Sequence, residues 1–219
     1  MVITRIERQK NSTQRLNIHI DGEFAFGIHK AVLLRWSLRQ GDSLTDQQKR
    51  DLMNDEEVHR ARLSAMRLLH SRLRSEKELR DRLREKEYAR ETVDAVVRSL
   101  NEAGLLDDAR FAEAFCHDRA LRGAAGPVLL RRELRMRGVA ASIIDRQLAR
   151  IPDEEQMARA VRTAQAYLRK SPRARTARIP ALRGQAVGRY LLRRGFEWSI
   201  ITKVLKSMFG ETDASPGEE

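Results

Sequence analysis

Apolar positions along this chain recur as a block. Leu79, Leu83, Tyr88, Val93 and Val97 lie among polar residues at helical spacing, on either side of a polar turn. Leu130, Leu134, Val139, Ile144 and Leu148 repeat them at a constant offset of 51, and Val187, Leu191, Phe196, Ile201 and Leu205 repeat those at an offset of 57. The first pair in each block shares one face of a short helix. Tyr88, Val139 and Phe196 fall just before the next helix, at N′, and Val93, Ile144 and Ile201 fall five residues later, at N4. That spacing predicts a hydrophobic staple, which fixes the angle of entry into the helix. Arg137-Gly138 and Arg194-Gly195 end the first helix of the later blocks, and an apolar residue follows each glycine. Such repeats bury their apolar faces on their neighbours.

The rest of the pattern fills in the elements. Leu16, Ile18 and Ile20 alternate with Asn17 and His19, Asp21-Gly22 signals a two-residue turn, and Phe24 and Phe26 resume the alternation. This predicts a small antiparallel sheet over residues 2–28. A helix follows over Val32–Leu38, and Thr45 or Asp46 caps another that runs to about Asn54. The prediction is a mainly α protein: tandem three-helix repeats in an elongated array, preceded by a small N-terminal extension containing a β-hairpin. Residues 1–54 form the extension, 55–106 the first repeat, 107–151 the second, 152–210 the third, and 211–219 a disordered acidic tail.

Local signals mark the helix ends within the repeats. Ser75-x-x-Glu78 and Asp153-x-x-Gln156 read as capping boxes. Gly104 suits a left-handed stop, and Gly123 reads as another stop. Asp107 reads as an N-cap, and Pro127 as a first helical residue, where its missing N–H costs nothing. Met157, Val161, Ala164 and Leu168 form the core face of the long helix in the third repeat.

Charge changes the picture more than composition does. The 219 residues carry a formal net charge of +12, which favours polyanionic partners such as nucleic acid or an acidic protein surface. Aromatic residues make up only 5%, which speaks against a stacking platform for single strands. One cysteine allows no internal disulfide and fits a reducing cytoplasm. No apolar run approaches a membrane span, and the first residues lack a signal-peptide core.

Catalytic and cofactor patterns are missing from the sequence. Neither G-x-x-x-x-G-K-[ST] nor G-x-G-x-x-G occurs, nor does G-x-S-x-G. The five histidines, His19, His29, His59, His70 and His117, show no ligand spacing. Cys116 beside His117 points about 100° away from it on a helix, so Cys116 reads as a small buried residue. Asp107, Asp108 and Glu113 raise the idea of a metal-dependent nuclease, but two aspartates at a helix start serve its free N–H groups and dipole. No catalytic residue, metal site or cofactor is assigned.

What remains is a face of arginine. Arg131, Arg132 and Arg135 share roughly one side of a helix whose other side is Leu130 and Leu134, and Arg137 follows just before that helix stops at Gly138. Arg189 and Arg193 flank Leu191 similarly, and Arg194 comes next in the chain. Arg173 and Arg175 extend the charge through a basic loop. Guanidinium forks match carboxylates and phosphates, so these nine arginines are the candidate protein- or DNA-binding residues.

Three stretches carry a family resemblance: Ser75-Glu76-Lys77-Glu78-Leu79, Gly104-Leu105-Leu106-Asp107-Asp108-Ala109-Arg110-Phe111-Ala112, and the helix from Gly126-Pro127 to Gly138. With Arg193-Arg194-Gly195-Phe196, they resemble the RecX family of bacterial regulators of the RecA recombinase, over about residues 57 to 209. The N-terminal hairpin resembles the extension that some longer members carry. The resemblance implies a non-enzymatic protein; a cytoplasmic monomer without cofactor is expected. The resemblance also implies a partner, the RecA filament on single-stranded DNA, whose ATP turnover and strand exchange the protein would hinder. A different reading takes Leu79 to Val97 as a helix-turn-helix, and the protein as a transcriptional DNA-binding regulator.

Overall fold

The computed structural model describes residues 1–122, 125–171 and 180–210. The chain forms two compact units, Met1–Arg74 with Glu78–Leu106, and Ser75–Lys77 with Asp107 onward. It is mainly helical, with one small antiparallel sheet.

The first unit opens with strands β1 (Ile3–Arg8), β2 (Arg15–Ile20) and β3 (Glu23–His29), paired antiparallel in that order. Asp21 and Gly22 both take positive φ, 51° and 93°, as a type I′ hairpin turn requires. The predicted alternation in β3 does not hold. Ile18 pairs with Phe26 but His19 pairs with Phe24, so Ala25 is an extra residue on β3. A bulge of this kind shifts the side chains on one side of it by one step. Phe26 is therefore buried while Phe24 is 60% exposed, its ring edge-on to His19.

The sheet packs on helices α1 (Lys30–Arg35) and α2 (Asp46–Ser71). Ile3, Ile18, Ile28, Val32 and Leu52 are at the centre of this core. Thr45 caps α2 and forms a full capping box with Gln48. The break anticipated near Asn54 is absent, because residues 46–71 contain no glycine or proline and the buried face continues through. Leu52 belongs to the sheet core, whereas Ala61 and Ala65 belong to the next. Between them Glu56, only 3% exposed, accepts from His29 N at 2.7 Å and from Arg15 Nη1 at 2.9 Å. A buried carboxylate needs such partners, and here they bind the sheet to the helix.

Helices α3 (Glu76–Arg84) and α4 (Arg90–Glu102) close the second core, through Leu79, Leu83, Val93, Val96, Val97 and Leu100. The second unit continues with α5 (Asp108–Leu121), α6 (Pro127–Met136), α7 (Ala141–Leu148), α8 (Asp153–Lys170), α9 (Pro180–Arg193) and α10 (Trp198–Phe209). One core forms around Phe111, Leu130, Leu134 and Ile144, another around Ala160, Ala164, Val187, Leu191, Phe196 and Ile201. Met157, Val161 and Leu168 pack against the latter.

The repeat is visible in hydrogen bonds as well as in side chains. Tyr88 N, Val139 N and Phe196 N donate to Leu83 O, Leu134 O and Leu191 O, at 3.5, 3.2 and 3.2 Å. One residue earlier, Glu87 N, Gly138 N and Gly195 N donate to Arg84 O, Arg135 O and Leu192 O. Together these are Schellman motifs, at the offsets of 51 and 57 found in the sequence. The N-caps of the following helices, Ala89, Ala140 and Glu197, make no side-chain cap bond. Tyr88, Val139 and Phe196 sit at N′ and share a core with N4 residues Val93, Ile144 and Ile201. Apolar packing thus sets these three helix starts where side-chain caps do not.

Two glycines are needed for contact as well as for φ. A Cβ on Gly195 would lie 2.3 Å from Leu129 N, and one on Gly138 would lie 2.5 Å from Lys77 Cβ. Gly126 N donates to Arg194 O, and Ser75 Oγ donates to Arg137 O. These pairs again stand at offsets of 51 and 57. The equivalent turn residue in the first repeat, Glu87, keeps φ at 63° without being glycine, and it is exposed.

Asp107 caps α5 as anticipated, accepting from Ala109 N and Arg110 N, and Pro127 begins α6. Gly104 takes the left-handed conformation after α4, at φ 65°. The Asp153-x-x-Gln156 box does not form. Pro152 is the N-cap, Asp153 already lies within the first turn, and Gln156 Nε2 donates to Ile151 O. Pro152 has the extended ψ of 151°, so the helix begins one residue earlier than the box requires. Gly123, residues 172–179 of the basic loop and the 211–219 tail lie outside the described residues.

Candidate nucleic-acid and protein interface

Helix α6 positions four of the candidate arginines, and they differ in freedom. Arg131 is partly buried and forms an ion pair with Asp145 of α7. The same pair occurs one repeat earlier, between Arg80 of α3 and Asp94 of α4. The third repeat has Gly188 and Thr202 at those positions, and Thr202 Oγ1 donates to Trp198 O instead. Arg131 is thus part of how two helices of a repeat are joined.

Arg132 and Arg135 are exposed. Arg137 is not a free cation: its guanidinium lies 4.4 Å from the Phe115 ring centroid, and Nη1 donates to Glu133 O at 2.8 Å. On α9, Arg189 and Arg193 are exposed, and Arg189 is the repeat equivalent of Arg132. Arg194 is half-buried with its guanidinium 5.1 Å from the Tyr190 ring centroid. Tyr190 in turn stacks on Tyr167, 4.2 Å between centroids and 15° between planes. Arg173 and Arg175 lie outside the described residues. The structure therefore leaves Arg132, Arg135, Arg189 and Arg193 outward on two equivalent helices, and holds Arg131, Arg137 and Arg194 by side-chain partners.

The tyrosine pair and the cations beside it, Arg119, Arg122 and Lys170, were missed by reasoning from sequence. Low aromatic content argued against a stacking role, yet two of the three tyrosines meet face to face. The available signal was Tyr190 four residues before Arg194, a spacing that brings side chains together on a helix.

Two of the three carboxylates considered for metal chemistry, Asp107 and Asp108, serve the backbone. Asp107 caps α5, and Asp108 Oδ1 accepts from Glu76 N at 2.8 Å. Cys116 is buried, and burial pushes its thiol up to about 11, far from a reactive thiolate. In the first unit His29 and His59 lie with ring centroids 4.3 Å apart. Burial first, then the His29 charge, lowers the pKa of His59, while Glu56 opposes the shift. His59 Nε2 is buried with no hydrogen-bond partner, which fits a neutral imidazole. Among the described residues no helix is long and apolar enough to cross a membrane.

Comparison with known proteins finds three domain matches along the chain. Residues 1–45 match the regulatory protein RecX N-terminal domain, residues 61–100 the first three-helix domain of RecX, and residues 107–148 the second. The regulatory protein RecX of Bacillus pumilus is 30% identical over 217 residues, covering 99% of this chain and 81% of that one. That of Levilactobacillus brevis is 32% identical, covering 100% and 79%. A crystal structure of a regulatory protein RecX superposes with a TM-score of 0.78 at 27% identity, over 93% of this chain and 98% of that one. A second, of RecX from Lactobacillus salivarius, shares the fold at 21% identity and a TM-score of 0.60, over 70% of this chain and 97% of the other. By three domain matches, full-length identity near one third and a common fold, the chain belongs to the RecX family of regulatory proteins.

Proposed function

We propose that this protein is a non-enzymatic, monomeric regulator that binds RecA filaments on single-stranded DNA. It inhibits ATP turnover, strand exchange and filament growth in recombination and repair, and does so in the cytoplasm. The observation that carries the reading is the repeat itself. Arg132 and Arg189 stand at equivalent outward positions on α6 and α9, so one recognition element is presented twice. Successive repeats suit a partner that is itself periodic. The family's regulatory role supports it. So does the arrangement of Asp107 and Asp108, whose carboxylates are bonded to backbone N–H groups rather than converging on a reaction site. The three-helix repeats have their own domains within this proposal, at 55–106, 107–151 and 152–210.

The transcriptional helix-turn-helix reading is weaker on one specific ground. The second helix of each candidate motif would face DNA, and Asp94 of α4 and Asp145 of α7 are half exposed there, already holding Arg80 and Arg131. Carboxylates in a groove face repel phosphate.

The test is RecA ATPase on single-stranded DNA with substoichiometric additions of this protein. Inhibition together with shortened filaments is the expected result. A footprint on one duplex sequence without RecA, and no effect on ATPase, would favour the transcriptional reading.

A further inference from the structure

The stacked tyrosines line a pocket of ≈ 260 Å³, the space of roughly eight or nine waters. Its walls are Arg119 and Arg122 at the end of α5, Tyr167 and Lys170 at the end of α8, and Tyr190 and Arg194 at the end of α9. All belong to the second unit. Four of these side chains are cationic, and among the described residues no carboxylate lines the pocket.

Two of the cations are compensated from outside. Arg119 pairs with Glu133 at 2.5 Å and Arg122 with Asp118 at 3.0 Å. Lys170 and Arg194 have no ion pair among the described residues. Arg119 Nε is buried with no hydrogen-bond partner, as is Oε2 of the Glu133 it pairs with. Arg122 and Lys170 also offset the carbonyl ends of α5 and α8. Arg194, one residue past α9 as Arg122 is past α5, is in addition held against Tyr190. Positive charge beside a flat aromatic wall is the combination that grips a nucleotide, through its phosphate and its base.

We propose that this pocket is a nucleotide-phosphate site, in which Lys170 and Arg194 bind the phosphate and the Tyr167–Tyr190 pair walls the sugar and base. The phosphate has two possible sources, a single strand or a free mononucleotide. The strand arm rests on the DNA-bound reading above; the mononucleotide arm does not.

The experiment uses the full chain and two probes. A fluorescein-labelled oligo-dT is followed by anisotropy, and AMP by perturbation of amide resonances. Lys170→Ala/Arg194→Ala is compared with Arg60→Ala/Arg98→Ala, which removes the same charge from exposed positions of the first unit. The first variant is expected to bind at least tenfold more weakly, and to flatten the log–log salt dependence for oligo-dT by about one unit. The second is expected to stay within twofold of the unaltered protein. Tyr190→Leu is expected to weaken binding about 5- to 100-fold. Lys170→Ala alone, at an exposed position, keeps the test decisive if the double variant melts early. Loss on oligo-dT only assigns the pocket to the strand; loss on both probes assigns it to the nucleotide itself. The proposal is overturned if neither probe binds, if Lys170→Ala/Arg194→Ala binds normally, or if the Arg60/Arg98 variant weakens equally. RecA ATPase is measured on the unaltered protein alongside, so a failure of filament regulation is scored apart from a failure of the pocket.

Discussion

The Arg131 guanidinium bonds to the Asp145 carboxylate in the second repeat at the same register as Arg80 bonds to Asp94 in the first. An outward arginine and a bridging arginine thus sit side by side on α6, and substitution separates them. Arg131→Ala is expected to lower stability by about 0.2–1 kcal/mol, the range for solvent-screened pairs, with the loss shrinking in high salt. Arg132→Ala is expected to leave the urea midpoint unchanged. Equal effects on stability would remove the distinction.

Arg132, Arg135, Arg189 and Arg193 carry the proposed interface. Replacing all four by alanine is expected to weaken co-sedimentation with RecA filaments and to reduce its salt dependence, since each released phosphate contact lowers the slope by nearly one. Co-sedimentation unchanged at 50 and 200 mM salt would move the interface elsewhere.

Leu134 is fully buried and accepts the bonds that close its turn. Leu134→Ala is expected to cost about 2–5 kcal/mol, read as a shift in denaturant midpoint at constant m. Any loss of RecA inhibition in this variant should track the fraction unfolded.

The turn residues give opposite signs at equivalent positions. Gly195→Ala meets both a left-handed backbone and Leu129 N at 2.3 Å, and is expected to destabilise by more than about 1 kcal/mol. Glu87→Gly relieves a left-handed non-glycine residue at an exposed turn, and is expected to raise stability by up to about 1 kcal/mol. Thermal melts of both variants against the unaltered protein check the pair.

His59 is expected to make the first unit sensitive to acid. Its pKa is lowered in the folded state, chiefly by burial, so the unfolded chain takes up the proton first, near an ordinary value of about 6.5. Stability from this group is complete above that pH and is lost as pH falls toward the lowered value. His59→Gln is expected to flatten the decline in melting temperature between about pH 7 and 5. An identical slope in both proteins would exclude His59 as its source.

Local patterning made the repeats legible. Leu79, Leu83, Tyr88, Val93 and Val97 sit within one helix-turn-helix, so their periodicity alone fixed their burial and their staple, and the two later copies followed by offset. Contacts between distant positions were not legible. Asp145 lies fourteen residues after Arg131, and its carboxylate determines whether that arginine is free. Tyr167 and Tyr190 meet only because α8 and α9 pack together. The bulge at Ala25 has no composition of its own, and it turned Phe24 outward where strict alternation had placed it with Phe26. The continuity of α2 was missed because Thr45-to-Asn54 reads as a complete short helix until the change of partner along its buried face is seen.

That continuity decides how the beginning of the chain comes apart. Leu52 and Ala61 ride on one uninterrupted rod while belonging to different cores, and Glu56 clamps the sheet to the rod between them. Severing the chain at Asn54 would leave each hydrophobic cluster on its own piece but would part Glu56 from Arg15 and His29, and Asp55 from Trp36. The opening sheet and the first helical repeat are expected to melt as a single cooperative body, joined by that rod and clamp.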